Sequence, residues 1–420
     1  MVEPTSCDGR LKLGLKMKTR NHLLSLTTLF FMVGILNYCT EPPKDRRIIL
    51  ENNLSTLAKR ITYTNQVIEI DTSLQVDGMA KPSIHPVSLE LIAEVDPPEI
   101  DGQPLQATDI YVRGDKVYVS YNMIGEPYLG AVDIFNARHE DDPDLKSSML
   151  FTDSDVNGLT YKDNYLYLAL ATNRDEFDSP AVVEKVRIRR DQLTDETETF
   201  DVPSWAATDV EVADNHLFVT SGADSGHVTV IRLQNDEVVF SYPIEDARGV
   251  ATDGDDVAVV AGTPARLVTF DYDSGEMLND YSLVGATIDF SKSTVEIHRK
   301  KAVLALGDGG TQIICLEGGE VIEQIAPPVV DDLDPSVTVT NAASTDSKTL
   351  YMSNGEAGVY VAYTRDKFNS RDCDVDDLQM IGQFRFDDLQ SVNHIKAKGD
   401  YLFIAGGLGG LKILRVEEDD

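Results

Sequence analysis

Polar and ionisable side chains stand at a fixed distance in front of seven similar decapeptides in this chain of 420 residues. The decapeptides begin at Ile110, Leu159, Val210, Val250, Val295, Ala343 and Ile395. Two positions ahead of them come Thr108, Asn157, Thr208, Arg248, Ser293, Asn341 and Asn393, all polar. One position ahead come Asp109, Gly158, Asp209, Gly249, Thr294, Ala342 and His394. Hydroxyls, amides, two carboxylates, a guanidinium and an imidazole brought to one opening would bind a polar ligand or a cation. Arg248, opposite two aspartates, serves either as a structural counter-ion or as an anchor for a substrate carboxylate. The competing reading has the same side chains hydrogen-bond neighbouring strands and enclosed water. The candidate ligand-binding set is Thr108, Asp109, Asn157, Thr208, Asp209, Arg248, Asn341, Asn393 and His394.

Other constellations carry less. The run Asp153-Ser154-Asp155-Val156-Asn157-Gly158 copies the first half of a calcium loop, but Asn164 stands where the bidentate glutamate belongs. A turn capped by Asp and Asn side chains is the preferred reading, and calcium is kept as the lesser alternative. Asp271-Tyr272-Asp273-Ser274-Gly275 reads as a hairpin turn. No nucleophile elbow, zinc-protease helix, C-x-x-C pair or phosphate-binding glycine loop occurs, so no catalytic residue and no dedicated metal set is assigned. The histidines are scattered, and only His394 falls at the presumed opening. Trp205, the sole tryptophan, either walls that opening or packs in the core between neighbouring units, and core packing is the expectation.

The elements that must position these residues follow from the decapeptides. Each is an alternating strand, a tight turn and a second strand, as in IYVRGDKVYV and IKAKGDYLFI, and the starts fall 40 to 52 residues apart by subtraction. Gly114-Asp115, Asp163-Asn164, Asp214-Asn215, Gly254-Asp255 and Gly399-Asp400 supply residues that tolerate the positive φ of two-residue hairpins, whereas Arg299-Lys300 and Ser347-Lys348 are weaker turns. A third strand follows in each unit (130–135, 227–233, 265–270, 311–316, 358–363 and 410–416, with 181–188 the longest), and a fourth apolar run closes most. This predicts an all-β, seven-bladed β-propeller with four-stranded antiparallel blades over 87–420. The seventh unit runs out of chain after its third strand. SLELIAEV at 88–95 belongs to no unit and is expected to close that last blade.

The remainder divides into 1–39, a signal-like segment, and 40–86, a tether with a short helix between Ile48 and Ile61. Lys16, Lys18 and Arg20 precede an apolar stretch from Leu23 to Leu36 and then Cys39, and Met17 is an alternative start. This resembles a bacterial lipoprotein signal, with Cys39 the lipidated residue, although Asn37 and Tyr38 are larger than usual there. Thr40 after the cysteine implies an outer-membrane lipoprotein, periplasmic or surface-exposed. The net charge of −34 argues against nucleic acid as a partner and for a soluble monomer touching the membrane only through its lipid. After Cys39 only Cys315 and Cys373 remain, one in a strand and one in a polar loop, so no disulfide is expected.

The units resemble the LVIVD-repeat β-propeller lipoproteins of Bacteroidetes-like bacteria. Gly409-Gly410-Leu411-Lys412-Ile413-Leu414-Arg415-Val416 and Gly355-Glu356-Ala357-Gly358-Val359-Tyr360-Val361 stand closest to the family's third strand, and Ala265-Arg266-Leu267-Val268-Thr269-Phe270-Asp271 to its namesake motif. The resemblance implies fold and export over about 88–416, and no catalytic residue can be carried over. Two functions stay open. One is a non-catalytic binding or scaffolding module for a protein or glycan of the cell envelope. The other is a metal-dependent hydrolase or lyase, as in lactonase-like propellers, with Asp109, Asp209 and Asn157 around the ion.

Overall fold

The computed structural model describes residues 48–73, 87–138, 142–173, 180–222, 225–288, 292–365, 367–375, 377–386 and 390–418. The signal-like segment, with Met17 and Cys39, lies outside the described residues. The chain forms seven antiparallel blades arranged as a β-propeller, each with four strands running from an inner strand to an outer one. The inner strands are Gln106–Arg113, Ser154–Lys162, Ala207–Ala213, Ala247–Thr252, Ser293–His298, Ala342–Asp346 and His394–Lys398, so every decapeptide supplies the first hairpin of a blade.

The turns form as their chemistry dictates. Gly114, Asp163, Asp214, Gly254 and Gly399 all take positive φ at the first hairpin position. So do Arg299 (φ 56°) and Ser347 (φ 51°), the two weak turn sequences. Arg299 is held by its neighbour: its backbone N–H donates to Asp253 Oδ2 at 2.6 Å, from the adjacent blade. Between blades the apolar faces interdigitate. Phe218, Val228 and Val230 of blade 3 pack against Val257, Val259 and Phe270 of blade 4, with the Phe218 and Phe270 rings 5.6 Å apart edge to face.

Closure is as the sequence implies. Val87–Val95 pairs with Leu411–Glu418, Leu89 opposite Val416 and Val95 opposite Leu411, and completes blade 7. The segment before it departs from the expected tether and helix. The helix is one turn, Leu54–Leu57, capped by Asn53 and followed by a 3-10 turn at Ala58–Arg60. On either side lie strands: Ile48–Glu51 pairs with the outer strand of blade 1, and Ile61–Ile68 with the closing strand of blade 7. Those two blades therefore have five strands. The segment straps the seam where the ring's two ends meet, with Leu57 buried among residues of blades 1 and 7 and Arg60 donating two bonds to the fully buried Asp133 of blade 1. The cause is that the outer edges offer unpaired backbone groups that a nearby β-competent segment satisfies.

A second expectation is corrected. Cys315 and Cys373 form a disulfide, Cα atoms 5.3 Å apart, between the third strand of blade 5 and the long loop after the third strand of blade 6. That loop is drawn over by Lys301, a buried lysine of blade 5 whose Nζ donates to the Ser370 and Asp372 carbonyls at 3.2 and 2.6 Å. A cysteine in a polar loop and one at a strand end lie far apart in sequence, and only the ring geometry joins them.

Candidate functional site

Antiparallel order places the start of every inner strand on one face, together with the loops between second and third strands and the crossings between blades. At that face the residues two positions ahead of the decapeptides form a ring of bonds from blade to blade. Thr108 Oγ1 donates to the Val156 carbonyl (3.2 Å), Asn157 Nδ2 to Ala207 (2.9 Å), Thr208 Oγ1 to Ala247 (2.8 Å), Asn341 Nδ2 to Val392 (3.0 Å) and Asn393 Nδ2 to Ala107 (3.0 Å). The last of these crosses from blade 7 to blade 1. In blades 1 to 3 a bulge at this residue turns it out of the strand's alternation toward the next blade, and blade 4 has the same bulge at Arg248. Five of the nine candidates are thus stitches between blades.

Arg248 and Ser293 break the ring. Arg248, which lines the same cavity as Asp109 and Asp209, has its Nε 2.6 Å from Oδ1 of Asp246, two residues earlier in the chain. Ser293 is 2 % exposed, and its Oγ has no hydrogen-bond partner among the described residues. Lys292 precedes it where the equivalent residues are Ala107, Val156, Ala207, Ala247, Thr340 and Val392, and reaches across to the Thr108 carbonyl of blade 1 at 2.5 Å.

The residues one position ahead point inward. His394 Nε2 lies 3.2 Å from Asp109 Oδ1, and Lys292 Nζ lies 3.9 Å from the same oxygen. Asp209 accepts from the backbone N–H of Val210 (2.8 Å) and of Val250 in the next blade (2.9 Å). Gly158 is required beside it, since a Cβ there would stand 2.5 Å from Asp209 Oδ1. Burial drives the Asp209 carboxyl well above its ordinary value, and the charge of Asp109 adds to the effect. Burial also pushes Lys292 down, against the pull of Asp109 and Asp209, and lowers His394 to about 4, so the imidazole is neutral at pH 7.

One more tier inward lies a set that the sequence reading missed. Two residues further along the inner strands, on the same face, come Glu211, Glu296 and Lys396, with Tyr111 and Thr160 beside them. Lys396 Nζ pairs with Glu296 Oε1 at 2.9 Å, and His298 Nε2 lies 3.5 Å from the same oxygen. Burial would raise Glu296, but Lys396 and His298 together hold it below the usual carboxylate range. Glu211 accepts from Thr160 Oγ1 (2.9 Å) and the Val212 N–H (2.8 Å), and burial pushes its carboxyl up to about 7. The two-residue period of a strand was the available signal: adding two to Asp209 and His394 gives Glu211 and Lys396.

These two tiers line a cavity of about 640 Å³. Among the described residues no group of three or more His, Cys, Asp and Glu side chains is arranged to hold a metal ion. Of the residues named around a metal ion, Asn157 stitches blades 2 and 3, and each Asp209 oxygen accepts one backbone amide. Asp155, from the calcium-like run, accepts from the backbone N–H of Leu129 (3.1 Å) and so anchors a loop of blade 1. Trp205 is not core. It is 46 % exposed in the crossing from blade 2 to blade 3, because that crossing runs over the face instead of between sheets.

No protein-family model matches the chain, and no curated protein matches its sequence. Solved propellers are similar to it in fold. The WD40 repeats of RRP9 align over 81 % of this chain and 100 % of theirs, with a TM-score of 0.52 and 11 % identity. U3-55K aligns over 76 % of this chain and 98 % of its own, with a TM-score of 0.52 and 12 % identity. At such identity the likeness is one of architecture.

Proposed function

We propose that the protein is an exported, lipid-anchored binding module of the cell envelope, holding a protein or glycan partner on the face where the inner strands begin. The observation that carries this reading is the placement of exposed apolar side chains. Ile124, Trp205, Val284, Val329 and Leu408 all lie in loops of that one face, with exposures from 46 % at Trp205 to 96 % at Val329. The other large exposed apolar residues lie on outer strands and the N-terminal strap, and among the described residues none lies in the turns of the opposite face. Apolar loops around a polar opening are the composition of a recognition surface.

Export is supported by two independent features. The signal-like run ending at Cys39 has the pattern of a lipoprotein leader, and the Cys315–Cys373 disulfide is of a kind that persists in oxidising compartments. The resemblance to LVIVD-repeat lipoproteins agrees with both, and the large negative charge keeps nucleic acid off the surface. The experiment is fractionation and capture with the full-length protein. Cys39→Ser should move it from the membrane to the soluble fraction, and unchanged membrane association would overturn the lipid anchor. The double variant Ile124→Ser, Val329→Ser should lose capture of the envelope partner while melting as the wild type does, and undiminished capture would move the interface elsewhere.

A further inference from the structure

The cavity at the channel's core has an imbalance of a definite kind. Four cations line it: Arg248 beside Asp246, Lys396 on Glu296, Lys292 on the Thr108 carbonyl with Asp109 beyond it, and Lys398 at the far end of the blade 7 inner strand. Asp209 and Glu211 have no cation at ion-pair distance among the described residues. They sit two residues apart on the inner strand of blade 3, roughly 7 Å along it, and both line the cavity. Their bonds come from backbone amides and one threonine hydroxyl.

Apart from Arg248 Nε, which lies in ion-pair contact with Asp246, the buried polar atoms of the cavity wall without hydrogen-bond partners can accept. Asp109 stands opposite Nε2 of His394, which assigns the proton of the neutral ring to Nε2 and leaves Nδ1 an acceptor. That Nδ1 is buried without a partner, as is Ser293 Oγ, and both residues line the cavity. Two carboxyls short of cations, an imidazole acceptor and a hydroxyl call for an occupant rich in donors and positive in charge.

From this arrangement we infer that the channel binds a compact organic cation, a primary ammonium compound, seated against Asp209 and Glu211 with Ser293 and His394 accepting from it. An ammonium brings three donors and no acceptor, which matches the groups left over. A metal ion would need several ligands converging on one point, and among the described residues no three His, Cys, Asp or Glu side chains do so. Arg248, Lys292, Lys396 and Lys398 line the cavity too, but an anion seated beside Asp209 and Glu211 would meet two carboxyls with no cation at ion-pair distance among the described residues. The volume of about 640 Å³ accommodates a diamine or an amino sugar. Both buried carboxyls have raised proton affinity, from burial chiefly, so a cation that ionises them drives protons out.

The test is titration calorimetry on the whole protein with putrescine at pH 6.5, repeated in two buffers of different ionisation heat, with sodium acetate and calcium chloride as comparisons. The expected result is saturable putrescine binding with net proton release, weakened about tenfold by Glu211→Gln and to a similar degree by Asp209→Asn, the size expected for one charge-assisted bond. Ser293→Ala, which removes one small hydroxyl, should weaken it less and serves if Asp209→Asn does not fold. The double variant Ile124→Ser, Val329→Ser should bind putrescine as the wild type does, so failure of the cavity and failure of the apolar face are separable. Absence of putrescine binding at about 10 mM, binding indifferent to Glu211→Gln, uptake of protons, or preference for acetate or calcium would each overturn the inference.

Discussion

Glu211 and Glu296 occupy the same register on inner strands of different blades, and burial bears on both, yet their carboxyls go opposite ways. Glu296 has Lys396 at 2.9 Å and His298 at 3.5 Å, whereas Glu211 has only a hydroxyl and an amide. The difference predicts a pH signature. Burial raises Glu211 to about 7, above the 4.5 of an unfolded glutamate, so the fold binds its proton more tightly than the unfolded chain does. Its stabilising contribution is complete below pH 4.5 and is lost as pH rises through 7. Glu296, held low, contributes above pH 4.5 and is silent in that window. Glu211→Gln, neutral at every pH, should match the wild type's melting temperature at pH 5 and exceed it at pH 8; parallel melting curves against pH would refute the assignment. The sequence placed Asp109, Asp209 and His394 at the opening because their offset from the decapeptides is visible. It could not sort stitches from free groups, since the bulges that turn Thr108, Asn157 and Thr208 sideways are set by contacts with the next blade.

Among the elements, the N-terminal strap and the disulfide each join parts that local sequence leaves unrelated. Ile49, Leu50, Leu54, Leu57, Ala58 and Ile61 have helical spacing, but the strands flanking the one helical turn pair with partners about a hundred and about thirty residues on. Tertiary pairing overrides the local period because two blade edges at the seam lack partners. Leu57, 1 % exposed, fills the space between strap and seam. Leu57→Ala should cost about 2–5 kcal/mol in a denaturant titration, the range for truncating a well-packed leucine. A cost under ~1 kcal/mol would show that the strap lies loosely on the ring. The Cys315–Cys373 bridge closes 58 residues and ties blade 6 to blade 5. Reduction should lower stability by about 2–5 kcal/mol, and Cys315→Ala, Cys373→Ala should behave as the reduced wild type. Equal stability with and without reductant would mean that Lys301 and the loop's own bonds hold it unaided.

At the scale of the whole molecule, a net charge of −34 makes the compact state repel itself. Raising monovalent salt from about 0.01 M to about 1 M shortens the screening length from about 30 Å to about 3 Å. The melting temperature should climb over that range, and a fall would show that ion pairs such as Arg60–Asp133 outweigh the general repulsion. The seven units, their hairpins, the antiparallel blades and the closing strand were all written in local alternation, turn residues and the count of strands, because a propeller repeats one short-range unit and each copy carries its own signals. What surrounds the axis was decided only when the ring closed. The pairing of His394 with Asp109 across the seam, the isolation of Glu211, the reach of Lys292 from blade 5 to blade 1 and the meeting of Cys315 with Cys373 join residues of different blades. Their distances depend on the radius and order of the ring, and no pattern within a single repeat encodes them.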